Sequence, residues 1–150
     1  MFHASRVLLQ PGCAVLAGNY GREIARQGEQ HPRWHRERIL EEVRVRVFAE
    51  KPSRLRSAFV CPSIETARFY RDVHDPGAYI YEVEKVLPDA AEHRADFNVI
   101  QPLPGRPENM EEIAFLYWTA RLWTTVAGHE NIRCEEVLFE TPIRILNQIE

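Results

Sequence analysis

Hydrophobic and polar positions alternate most clearly over AYIYEVEKV, from Ala78 to Val86. Aromatic or β-branched side chains there take every second place and charged ones the places between, the period of a strand with one buried face. The chain leaves that strand through Pro88 and Asp89 and enters a polar stretch carrying His93 and Asp96, which reads as a loop held on a rigid element. Phe2 to Leu9 reads as a short strand closed by a turn at Pro11 and Gly12, and Ala14 to Leu16 as a second extended piece ending in the glycine-rich GNYG, Gly18 to Gly21. In WHRERILEEVRVRVF, Trp34 to Phe48, Ile39, Val43 and Val47 fall at helical spacing behind a polar lead-in from Gln27 to Arg33. The last six residues of that run also alternate, which leaves a switch to strand open there.

A short strand is expected around Ser57 to Cys61, after which Ser63 is placed to cap IETARFYRDV. That helix turns Ile64, Ala67, Phe69 and Tyr70 inward and stops before His74, Asp75, Pro76 and Gly77. VIQPLPGRPEN, residues 99–109, holds three prolines and a glycine and reads as loop. Asn109 with Glu112 forms a capping-box pattern, opening a helix whose wide apolar face is predicted to run to Ala127, with Gly128 as its stop. CEEVLFETPIRILNQI, Cys134 to Ile149, carries two alternating runs around Thr141 and Pro142, a last strand or a bent pair.

Composition narrows the class without naming it. A chain of 150 residues, 45% hydrophobic and 27% charged, suits one globular domain with its own core. Net charge is −3, which argues against a dedicated nucleic-acid coat, yet residues 1–56 hold 11 basic and 6 acidic side chains and the remainder 8 and 16. A positive and a negative face follow, the former either a solvated helix surface or a meeting place for phosphate or RNA. Cys13, Cys61 and Cys134 show no CxxC spacing, so neither a disulfide framework nor a zinc site is indicated. The N-terminus lacks a secretory pattern and no apolar run is long enough to span a membrane, so a cytoplasmic protein or a delivered effector is expected.

No phosphate loop, nucleophile elbow or HExxH is present. The candidate chemistry is dispersed: His3 and Ser5 near the start, Phe59 and Tyr70 in the middle, His93 and Asp96, then Glu135, Glu136 and Glu140. Taken singly these have plain readings. His3 is an ordinary strand histidine, Asp96 caps a turn amide, and Glu136 or Glu140 occupies the solvent side of an alternating strand.

Their order, however, resembles the ADP-ribosyltransferase superfamily, in particular the small bacterial rifampin-modifying type. FHAS and LLQPG, Phe2 to Gly12, stand where that family has a YHGT-like strand followed by PG. SAFVCPSIETARF, YIYEVEKVLPDAAEHRAD and ETPIRIL are similar, in sequence order, to its strand and short Ala-containing helix, its strand leading into an acidic loop, and its closing EPLRIV. GNYG, PSR and HRAD also resemble motifs of an uncharacterised bacterial family grouped with those enzymes. Ala4 and Ser5 replace the glycine and threonine, and Phe59 stands for the mid-chain tyrosine.

The resemblance implies an α+β fold of two facing, bent sheets with flanking helices and NAD, as substrate, in the cleft between them. It implies Asp96 as first choice of catalytic carboxylate and Glu136 as second. His3 and Ser5 would bind ribose, His93 would join the NAD site, and Phe59 and Tyr70 would stack on nicotinamide. Arg6, Arg22 or Arg54 would neutralise phosphate. The acceptor would be a protein, a nucleic acid or a small molecule; NAD hydrolysis, 2′-phosphate transfer from RNA, or a binding domain without catalysis are the competing outcomes.

Overall fold

The computed structural model describes residues 1–101 and 109–150; most of the proline-rich stretch expected to be loop, 102–108, lies outside the described residues. The architecture is α+β, with two antiparallel sheets and helices on their flanks. In chain order the elements are β1 (Phe2–Ser5), β2 (Ala14–Val15), α1 (Asn19–Gln27), α2 (Trp34–Val47), a 3-10 turn (Arg54–Arg56), β3 (Ala58–Val60), α3 (Ile64–His74), β4 (Tyr79–Lys85), β5 (Glu92–Asp96), α4 (Met110–Thr119), β6 (Glu135–Phe139) and β7 (Ile143–Gln148). Strands order as β1-β4-β7-β2 in one sheet and β3-β6-β5 in the other. The chain crosses from one sheet to the other between β6 and β7, at Glu140 to Pro142, the bend the sequence marks.

Period-two alternation explains how the sheets stack. Tyr81 and Val83 of β4 with Ile143 and Ile145 of β7 pack against Ala58 and Val60 of β3 and Val137 and Phe139 of β6. Leu138, between Val137 and Phe139, turns to the other face and with Ala95 of β5 buries against Leu40 and Val43 of α2 and Ala114, Tyr117 and Trp118 of α4. Each such large side chain contributes about 1.5–3 kcal/mol. Trp118 also donates its indole N–H to the Leu40 carbonyl (2.8 Å), so its burial leaves no donor unmet. α3 covers the edge of the first sheet, Ala67 meeting Cys61 and Ile80.

Caps fall where the sequence places them: Ser63 accepts from the Thr66 amide (3.1 Å) and Asn109 from that of Glu112 (3.3 Å). α2 stays helical through VRVRV, and α3 includes His74, one residue beyond its expected end. Three other expectations change. GNYG is the entrance of a helix: Gly18, at φ 78°, precedes α1, and Gly21 lies inside it against the 3-10 turn. A Cβ on Gly21 would stand 1.9 Å from the Leu55 carbonyl oxygen, a backbone atom that has no rotamer to yield. Gly21→Ala is therefore expected to cost about 3 kcal/mol or more, the upper end of overpacking, read as a fall in urea midpoint.

The stretch with His93 and Asp96 is strand β5, paired antiparallel with β6, not loop; its inward positions, His93 and Ala95, lack the large aliphatic side chains that would show the alternation. α4 ends at Thr119, with Ala120 left-handed at φ 53°, instead of running to Ala127. Continuing the helix would carry away Thr124, whose amide (2.5 Å) and hydroxyl (2.7 Å) both donate to Asp96.

Candidate active site

The two sheets meet along one seam and then part. Phe2 and Cys61 exchange two backbone hydrogen bonds, 2.9 and 2.7 Å, joining β1 to the end of β3. An antiparallel ladder continued by two residues on each strand would next pair Ala4 with Phe59. The Phe59 carbonyl instead accepts from His3 Nδ1 (2.9 Å), so a side chain closes the ladder and the strands diverge. A cavity of about 190 Å³ opens there, taking residues from both sheets, α1, α2 and the 3-10 turn.

His3 reaches it from β1. Nδ1 faces a carbonyl and so carries the ring proton, while burial holds the imidazole below its ordinary pKa, partly offset by that same bond. The ring is then neutral at neutral pH, and Nε2 is a lone-pair acceptor suited to a hydroxyl.

Glu136 reaches the cavity from β6, the central strand of its sheet. Its Oε1 accepts from the Tyr117 hydroxyl (2.8 Å) and from Arg54, leaving Oε2 without a protein donor among the described residues. Arg54 is delivered by the 3-10 turn, whose start is fixed by Ser53 Oγ accepting from the Leu55 amide (3.2 Å). The guanidinium lies near the Phe59 and Tyr117 rings, 4.9 and 5.0 Å from their centres, and donates to the Tyr117 hydroxyl (2.6 Å) and to Glu37 (3.0 Å). Glu37 also accepts from Arg36 (2.7 Å) and from the Tyr20 hydroxyl (3.1 Å).

The electrostatics of this chain of groups agree with its geometry. Burial pushes the Glu37 carboxyl up, but Arg54 and Arg36 overcome that and hold it below the usual carboxylate range. Burial opposes the charge on Arg54, yet Glu136 and Glu37 raise it well above its ordinary value. Burial and Glu136 keep the Tyr117 phenol protonated against the pull of Arg54, so it remains a donor. Around this frame Tyr20 meets Phe59 edge-on at 5.5 Å, and Tyr70 meets Phe97 edge-on at 5.4 Å, all four lining the cavity. Cys61 also lines it, but burial pushes its thiol up to about 12, which leaves no thiolate for nucleophilic work.

Of the residues expected from the sequence, His3, Arg54, Phe59, Tyr70 and Glu136 come together here. Asp96 does not line the cavity. In β5 it pairs with Glu135 while Ala95 pairs with Glu136, so its side chain leaves the opposite face of the sheet from Glu136. It is buried and accepts from Thr124 and from the Asn98 amide (2.7 Å), which makes it an anchor for the chain on either side of α4. His93 lies in the helix-facing core, 5.1 Å from the Trp118 ring, with Nε2 3.3 Å from the Tyr117 carbonyl. Ser5 Oγ accepts from the Val7 amide (3.2 Å), Arg6 pairs with Asp75 at the surface (2.5 Å), and Arg22 bonds Asn19 and the Ala17 carbonyl. Arg54, expected on phosphate, is enclosed between two carboxylates instead.

Burial, with a smaller push from Lys51, takes the His93 pKa down to about 4. The unfolded chain binds that proton near pH 6.5, so the contribution is whole above pH 6.5 and drains away as pH falls towards 4. The expected loss is roughly 3 kcal/mol, at about 1.4 kcal/mol per pH unit. Urea midpoints between pH 7 and 4 should show it, and His93→Phe should flatten the profile there; an unchanged slope refutes the assignment.

A family model described as a protein of unknown function, DUF2441, matches residues 13–150. The chain belongs to the DUF2441 family. No curated protein matches it. The DUF2441 match takes in each cavity residue discussed above except Phe2, His3 and Ala4, which precede it. Sequence reasoning passed over Tyr20, Arg36, Glu37 and Tyr117 in this DUF2441 chain. GNYG is the available sign for Tyr20, expected only as the glycine-rich end of an extended piece; Tyr117 sits on an apolar helical face whose periodicity says only that it points inward, and Glu37 is a charged position that the spacing of Ile39, Val43 and Val47 does not mark.

Proposed function

We propose that this DUF2441 protein is an NAD-dependent ADP-ribosyltransferase of the ADP-ribosyltransferase fold, with the nicotinamide-ribose end of NAD in the cavity at the seam. The observation that carries the reading is convergence: His3, Phe59, Tyr70 and Glu136, from four separate elements, line one cavity where two sheets part. At about 190 Å³ it is below the 300–1,000 Å³ of sites that enclose a drug-sized ligand. It therefore suits one ring and one sugar, with the rest of a dinucleotide extending outside.

The chemistry asks for what these side chains offer. The C–N bond between nicotinamide and ribose breaks with its electron pair leaving on nicotinamide, and the sugar becomes oxocarbenium-like. Glu136, held by Tyr117 and Arg54, faces that cation through the oxygen without a protein donor among the described residues. His3 Nε2 accepts from a ribose hydroxyl. Phe59 and Tyr70 give faces for the flat ring. An acceptor nucleophile then takes the sugar carbon and loses its proton.

The test is twofold. NAD should raise the melting temperature in proportion to RT ln(1 + [L]/Kd), and nicotinamide should be released from NAD with a dependence on Glu136. A protein that shows neither refutes the reading, and stabilisation by NAD without turnover by wild type identifies a binding domain instead.

A further inference from the structure

Among the described residues three guanidinium groups line the cavity, those of Arg33, Arg36 and Arg54. Arg54 is paired with Glu37 and Glu136, and Arg36 donates to Glu37 while reaching the Ile100 carbonyl (3.4 Å) and Gln101 (3.5 Å). Arg33 differs. Its backbone amide donates to His31 Nδ1 (3.1 Å), but its side chain has no carboxylate, carbonyl or ring partner among the described residues.

Arg33 is only partly exposed, and its charge is felt by both Tyr20 and Tyr70, which pulls each phenol downward against burial. Arg33 lines the same cavity as those two rings and Phe59. Among the described residues three positive groups here face two carboxylates, Glu37 and Glu136, so one of those positive charges is unmatched. Arg33 is also the N-cap residue of α2, which starts without a side-chain cap, so it stands at the positive end of that helix dipole. An unmatched guanidinium fork beside an apolar recess suits an oxyanion with two oxygens to offer.

We propose that Arg33 is the anion-recognition residue of this cavity, selecting ligands that carry a phosphate ester or diphosphate beyond the part held among Tyr20, Phe59 and Tyr70. The assignment does not depend on which bond the cavity acts upon. If the ligand is NAD, Arg33 takes its diphosphate, in place of the Arg6, Arg22 or Arg54 expected from sequence.

Calorimetric titration with inorganic pyrophosphate, ADP-ribose and, as the uncharged control, adenosine tests this on wild type, Arg33→Ala and Arg33→Lys. Wild type should bind the two phosphate-bearing probes. Arg33→Ala should weaken both by about 10-fold or more, the scale of a charge-assisted hydrogen bond, and leave adenosine unchanged. Arg33→Lys should recover part, since an ammonium replaces the charge but not the fork. Equal affinities in wild type and Arg33→Ala, or no binding of either anion by wild type, overturn the proposal. Release of no nicotinamide from NAD, with pyrophosphate still bound through Arg33, refutes the transferase reading and leaves the anion site standing. NAD cleavage with KM unchanged in Arg33→Ala does the reverse.

Discussion

Glu136→Gln is expected to lower nicotinamide release from NAD by about 10² to 10³, the usual effect of removing one well-placed group that stabilises transition-state charge. The carboxamide matches the carboxylate in size and keeps an oxygen for Tyr117 and Arg54. What it lacks is the negative charge that an oxocarbenium-like sugar needs. The loss should therefore fall on kcat more than on KM, with NAD still raising the melting temperature. Asp96→Asn is the informative partner. Its carboxylate holds Thr124 and Asn98 on the far face of the sheet, so that substitution should lower the melting temperature while the folded fraction keeps its turnover. Nicotinamide release within a few-fold of wild type in Glu136→Gln would remove this residue from the chemistry. An inactive Asp96→Asn with unchanged melting temperature would restore the carboxylate that the sequence favoured.

That reversal shows which part of the molecule the sequence could express. β4, α2, the caps at Ser63 and Asn109 and the bend at Thr141 are written in local signals, alternation, spacing and capping chemistry, and they stand where the sequence puts them. β5 was missed because His93 and Ala95 fill its inward places, and no periodicity scale counts a histidine over a tryptophan as hydrophobic. α4 stops early because Asp96 claims Thr124, a contact between distant residues that outweighs about two turns of good helical pattern. The site has the same limit. Choosing between Asp96 and Glu136 depends on which face of a sheet each side chain leaves, and that parity is fixed by the register of β5 on β6. GNYG illustrates the middle case. Its glycines signal unusual backbone, correctly, but the reason is that Gly21 must let the Leu55 carbonyl approach, and the turn carrying that carbonyl also carries Arg54.

Arg54→Met is expected to destabilise the protein more than any single change at the site, by about 3–5 kcal/mol, because it leaves Glu37 and Glu136 buried without their shared cation. In a chain of 150 residues that corresponds to a fall of roughly 6–20 °C in melting temperature. Methionine fills much of the same volume between the Phe59 and Tyr117 rings, so a cavity is not the main cause and the cost is electrostatic. The distinction is measurable. Removing both carboxylates as well, in Arg54→Met with Glu37→Gln and Glu136→Gln, should recover most of the loss, since a buried ion network and a well-packed neutral replacement are often close in free energy. If the triple variant is as unstable as Arg54→Met alone, the guanidinium acts through packing on the two rings and the charge argument fails. If it recovers, the stability of this network does not explain why a seam between two sheets holds so many charges. Their remaining consequence is the one that matters for chemistry: Tyr117 and Arg54 fix one oxygen of Glu136 and leave the other to whatever enters the cavity.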